Sequence, residues 1–109
     1  MMQVRVPKAS ATMEFVLHDL SVEGAGLTVI GEPAFALGDH LPVSFSISKT
    51  TRIACTGVVR HITPMGERRR GEKHYRVGFW FKDMPGHLQA AIQRYLIDIE
   101  LQQKALVAH

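Results

Sequence analysis

Apolar and polar residues alternate through most of the first eighty positions, and the phase of that alternation predicts strands. Residues 2–6 form a first strand, with Pro7-Lys8-Ala9-Ser10 as its turn. Thr12 to His18 make a second strand and Ala25 to Ile30 a third. The clearest alternation runs from Leu41 to Ser48, with Leu41, Val43, Phe45 and Ile47 pointing one way and Pro42, Ser44, Ser46 and Ser48 the other. Pro42 cannot donate to a ladder, so it belongs at a strand start or an edge. Arg52 to Ile62 form a longer strand in which Gly57 predicts a bulge or bend. Lys73 to Lys82 is a sixth strand, with Tyr75, Val77, Phe79 and Phe81 on one face. Between these runs lie turn-rich stretches: Gly31 to His40, whose Phe35 and Leu37 are expected to plug an edge of the core, and a loop from Thr63 to Glu72.

The period changes after Asp83-Met84-Pro85-Gly86. Leu88, Ala91, Ile92, Tyr95, Leu96 and Ile99 recur at helical spacing, predicting one amphipathic helix over about 86–106. Asp83 is its expected N-terminal cap, and Pro85 is tolerated in the first turn. Short strands with evenly spaced turns predict a sandwich or small barrel over about 2–82, in a single domain closed by the helix.

Composition narrows the function classes. Of 109 residues, 46% are hydrophobic and 21% charged, a globular balance. The single cysteine, Cys55, excludes an internal disulfide framework, suits a reducing cytoplasm, and falls on an apolar strand phase where an inert buried thiol is expected. No apolar run is long enough to span a bilayer, so no membrane insertion is expected. The net charge of +3 admits an anionic ligand without demanding one. The six histidines show no metal-ligand spacing, and Ser21, His18 and Asp19 lie too close in one turn for triad geometry. An enzyme is not expected.

Leu17 to Thr28 is the stretch with chemical character. A strand breaks into Asp19-x-Ser21-x-x-Gly24 and then resumes. Short polar side chains there satisfy local backbone or hold the polar edge of a planar ligand. Gly24 and Gly26 permit positive φ and close approach to the main chain. Together with Gly57-Val58-Val59-Arg60, Arg76-Val77-Gly78-Phe79-Trp80-Phe81 and Gln93-Arg94-Tyr95-Leu96, this pattern resembles the PilZ domain family, the C-terminal domains of flagellar brake proteins above all.

The resemblance implies a mainly β fold, a six-stranded antiparallel PilZ-type β-barrel with a C-terminal α-helix. It implies a cytoplasmic receptor for the second messenger cyclic di-GMP, acting in motility, biofilm or exopolysaccharide control. The ligand would lie on the outer barrel surface, with Asp19 and Ser21 reading a guanine edge and Gly24 allowing close approach. Arg60, at the end of its strand, would aim at a phosphate or stand in solvent. Trp80 lies on the outer phase of its strand and is expected to pack rather than to stack on a base. The implied partners are a protein effector such as the flagellar motor or a polysaccharide synthase, and a second copy through the helix.

The family's Arg-x-x-x-Arg motif, which precedes the first barrel strand and wraps the ligand, has no counterpart in these residues. Arg5 has Met1 at the partner position and already lies within the first strand. Arg68-Arg69-Arg70 sits on a far loop without the spacing. Charge-assisted contacts of roughly 1.5–3 kcal/mol each are therefore missing, and low affinity for cyclic di-GMP is expected. Two other classes compete: a ligand-free interaction domain of the same fold, and a small barrel binding single-stranded nucleic acid through Arg68–Arg70 and Trp80. The absence of aromatic residues within the basic loop weighs against a nucleic-acid polymer as partner.

Overall fold

The computed structural model describes residues 2–6 and 11–107. Six antiparallel strands close into a barrel and a helix follows. They are β1 (Met2–Val6), β2 (Ala11–Leu20), β3 (Gly24–Ile30), β4 (His40–Ser46), β5 (Arg52–Arg69), β6 (Glu72–Lys82) and α1 (Gly86–Val107). The order around the barrel is β1-β2-β3-β6-β5-β4, and β1 pairs with β4 to close it. The turn expected over 7–10 lies outside the described residues.

The alternating apolar residues fill the barrel. Val4, Leu27, Ile53, Val59 and Val77 are fully buried, and Phe45 lies parallel to Phe81 with 5.7 Å between centroids. Phe35 enters from the β3–β4 connection, edge-on to Phe15 at 6.1 Å and 5.6 Å from Phe79. Leu37, expected beside it, is 63% exposed: the chain turns over at Ala36–Asp39, where Asp39 accepts the Ala36 amide, and leaves Leu37 outside. Pro42 lies within β4 rather than at its start. Its missing donor costs nothing there, because pairing with β1 stops at Val4 opposite Val43.

Three features of β5 differ from expectation. The stretch 63–69 is strand, not loop, and pairs with β6 as far as Arg69 opposite Glu72. Gly57 stays in register, opposite Phe81. It lacks a side chain because a β-carbon would stand 2.8 Å from the Phe79 ring and 2.9 Å from Val43. The bulges come later, between Val59 and His61 and between Pro64 and Gly66.

Met84 and the fully buried Ile92 belong to the core, with Leu88, Ala91 and Leu96 packed against it. The inner half of the helical stripe therefore docks on the barrel, leaving Ile97 and Leu101 about half exposed. Asp83 does not cap the helix. It sits at φ 56°, and the Pro85 carbonyl accepts the first amides, from Leu88 and Gln89. Among the described residues no helix is long and apolar enough to cross a membrane.

A glycine-floored groove on the outer barrel face

Two bulges build the site by reversing the inward–outward phase of a strand. In β2, Phe15 and Leu17 point inward, so strict alternation would bury Asp19. The extra residue His18 shifts the register, so that Leu17 faces Leu27 but Asp19 faces Gly26, on the outside. In β5, Ile53 and Val59 point inward, and the extra residue Arg60 turns His61 outward, opposite Gly78. The sequence pays no apolar loss for either reversal, because Leu20 and Ile62 resume the inward face.

These turns deliver polar groups around a bare patch of sheet. Gly26 faces Gly78, and Gly24 faces Trp80, across the β3–β6 ladder. Asp19 lies over Gly26, where a β-carbon would stand 3.0 Å from its Oδ2. The imidazole of His61 rests on Gly78, where a β-carbon would collide with it. Gly24 keeps two strands close, since a β-carbon there would collide with the Phe79 carbonyl oxygen. Neither Gly24 nor Gly26 adopts positive φ, so their function is close approach alone.

Charges and rings form the rim. Arg76 Nη1 lies 3.5 Å from Asp19 Oδ2, an exposed ion pair spanning β6 and β2. The guanidinium of Arg60 stacks over the indole of Trp80, 4.4 Å from its centroid, in cation–π geometry. Trp80 is half exposed, so the packing role expected for it is only partly met. Ser21 closes the β2–β3 turn: its hydroxyl accepts the Gly24 and Glu23 amides at 3.1 and 3.3 Å, and its own amide donates to the Gly24 carbonyl at 2.9 Å. Together these residues surround an open groove of about 570 Å³. It offers a carboxylate acceptor, two guanidinium groups, an imidazole and an aromatic face over a floor without side chains. Planar polar anions need that combination.

The model of the PilZ domain matches residues 1–98. The chain belongs to the PilZ domain family. It is 29% identical over 97 residues to Flagellar brake protein YcgR 2 of Dechloromonas aromatica (strain RCB), covering 86% of this chain and 39% of that protein. The chain thus spans about two-fifths of that relative's length. The fold is similar to the PilZ domain with c-di-GMP of YcgR from Escherichia coli, with a TM-score of 0.76 and 17% identity over 98% of this chain and 86% of that one.

Within this PilZ barrel, Asp19, Ser21, Gly24 and Arg60 all line the one groove. Arg60 is not at a strand end; it occupies a bulge in the middle of β5. Arg76, Gly78 and His61 also line the groove and were not singled out from sequence as site residues. A signal existed for two of them: Arg76, Gly78 and Trp80 share the polar phase of β6. Trp80 and the β5–β6 hairpin do not form one patch, because eight residues of β6, about 26 Å of strand, separate Trp80 from Glu72.

Proposed function

We propose that this domain is a cytoplasmic, non-enzymatic receptor that binds cyclic di-GMP in the groove over Gly26 and Gly78. The observation that carries this reading is the placement of Asp19 beside a glycine floor, 3.5 Å from Arg76 and on the same outer face as the Arg60–Trp80 stack. A carboxylate accepts two hydrogen bonds from the N1–H and N2–H edge of guanine. Arg76 holds that carboxylate ionised and in place. Trp80 offers an aromatic face for a purine, and Arg60 supplies positive charge for a phosphodiester. Ser21 acts through the turn that presents Asp19, since its hydroxyl is engaged by backbone amides.

The signalling step follows from the missing clamp. An Arg-x-x-x-Arg segment ahead of β1 would order around the ligand and change the surface offered to an effector, such as the flagellar motor or a polysaccharide synthase. The test is calorimetric titration of cyclic di-GMP into the domain extended by such a segment, beside its Asp19→Ala and Trp80→Ala variants. Each substitution is expected to weaken binding at least tenfold. Unchanged affinity in Asp19→Ala sinks the assignment of the groove.

A second reading, a ligand-free interaction domain, draws on Ile97 and Leu101, which the helix leaves exposed for an effector or a second copy. It requires that Asp19→Ala leave effector binding untouched and that Leu101→Glu abolish it.

A further inference from the structure

The charged groups facing His61 come from four places. Asp19 approaches from β2, Glu23 from the β2–β3 turn, Arg60 from β5 itself and Arg76 from β6. Two carboxylates and two guanidinium groups sum to zero. The net charge of the groove is therefore set by His61, the remaining titratable group of its lining. A histidine is the side chain that changes charge between pH 5 and 8. Its position is built rather than incidental: the Arg60 bulge turns it outward, and Gly78 leaves a bare backbone on which the Nδ1–Cε1–Nε2 edge of the ring rests.

We propose that His61 is the proton-responsive anion contact of this groove, so that a phosphodiester ligand binds more tightly as pH falls from 8 to 6. This inference rests on the cyclic di-GMP reading. It adds a residue outside the Asp-x-Ser-x-x-Gly pattern and a regulatory input that the pattern does not carry. The ligand brings two phosphodiester charges into a groove that is neutral when the imidazole is neutral and singly positive when it is protonated. Arg76 is partly engaged by Asp19 and Arg60 lies on Trp80, so the imidazole is the cation standing directly on the floor. By reciprocity, a ligand that binds the protonated form more tightly also raises the titration midpoint of that histidine; one pH unit corresponds to about a tenfold coupling.

The experiment has two arms on the domain extended by an Arg-x-x-x-Arg segment. The first is calorimetry with cyclic di-GMP at pH 6 and pH 8, on the parent, His61→Gln and His61→Lys. The expected result is an affinity at least threefold higher at pH 6 in the parent, the same affinity at both pH values in His61→Gln, and tight binding at both in His61→Lys. The second arm follows the His61 imidazole by NMR across pH, free, with cyclic di-GMP, and with inorganic pyrophosphate. An upward midpoint shift of about half a pH unit with the dinucleotide matches a threefold coupling.

The two readings fail differently. If cyclic di-GMP binds and neither the pH dependence nor the midpoint responds to His61, the role of His61 is overturned and the receptor reading stands. If cyclic di-GMP does not bind but pyrophosphate raises the midpoint, the receptor reading falls while His61 remains an anion contact. If neither ligand moves the midpoint and none binds, both are overturned.

Discussion

At the scale of single residues, the site depends on what three side chains do not contain and on what one hydroxyl holds. Gly24 and Gly78 both exclude a β-carbon, but they meet different neighbours. At Gly24 the obstacle is the backbone carbonyl of Phe79, which cannot move without parting β3 from β6. At Gly78 the obstacle is the tip of an exposed imidazole, which swings away. Gly24→Ala is therefore expected to destabilise the domain by about 1–3 kcal/mol, and Gly78→Ala by clearly less, when both are compared by urea unfolding. Equal costs would contradict the geometry. Ser21→Ala removes the acceptor of two turn amides, and a loss of roughly 0.5–1.5 kcal/mol is expected by the same measurement. Cys55 is half-buried rather than fully enclosed, and burial pushes its thiol up to about 11 from an ordinary 9.0. Because folding favours the protonated form, its contribution to stability is complete below pH 9 and is lost as pH rises through about 11. A thiol reagent at pH 8 should modify the native chain about a hundredfold more slowly than the urea-unfolded chain. Equal rates would show the thiol to be free.

At the scale of elements, each strand was legible where apolar residues keep one phase, and the site was illegible where the phase slips. Alternation alone places β1, β3, β4 and β6 to within a residue or two. It also marks the inner face of α1 from Leu88 to Leu96. Asp19 and His61 escape it because the bulges at His18 and Arg60 reverse their strands. The trace of each bulge is an apolar phase that jumps from odd to even positions: Phe15 and Leu17 to Leu20, then Ile53 and Val59 to Ile62. Gly57 drew attention instead, although its glycine serves the Phe79 ring rather than a bulge. The hairpin beyond Ile62 read as loop because Pro64, Gly66 and a run of charges interrupt any alternation; pairing with β6 extends the strand regardless. The helix makes a sharper prediction. Ile92 is fully buried while Ile97 is 48% exposed. Ile92→Ala should cost about 2–5 kcal/mol, and Ile97→Ala less than about 0.5 kcal/mol, by chemical denaturation. A reversed order would mean that the helix docks through its other face.

At the scale of the whole molecule, the barrel gives a rigid frame that places side chains from β2, β5 and β6 around two facing glycines. Family membership accounts for the frame and for the Asp-x-Ser-x-x-Gly turn; the guanidinium pair of this chain, Arg60 and Arg76, comes from the strands themselves. Arginines ahead of β1 would add two charge-assisted contacts, each worth roughly 1.5–3 kcal/mol, or about a hundredfold to ten-thousandfold in affinity together. The decisive measurement is calorimetric titration of cyclic di-GMP into residues 1–109 and into the same chain preceded by an Arg-x-x-x-Arg segment. The account predicts weak binding by residues 1–109, at least a hundredfold gain on extension, and loss of that gain with Asp19→Ala. Sub-micromolar binding without the extension, or no binding by either form, would contradict it.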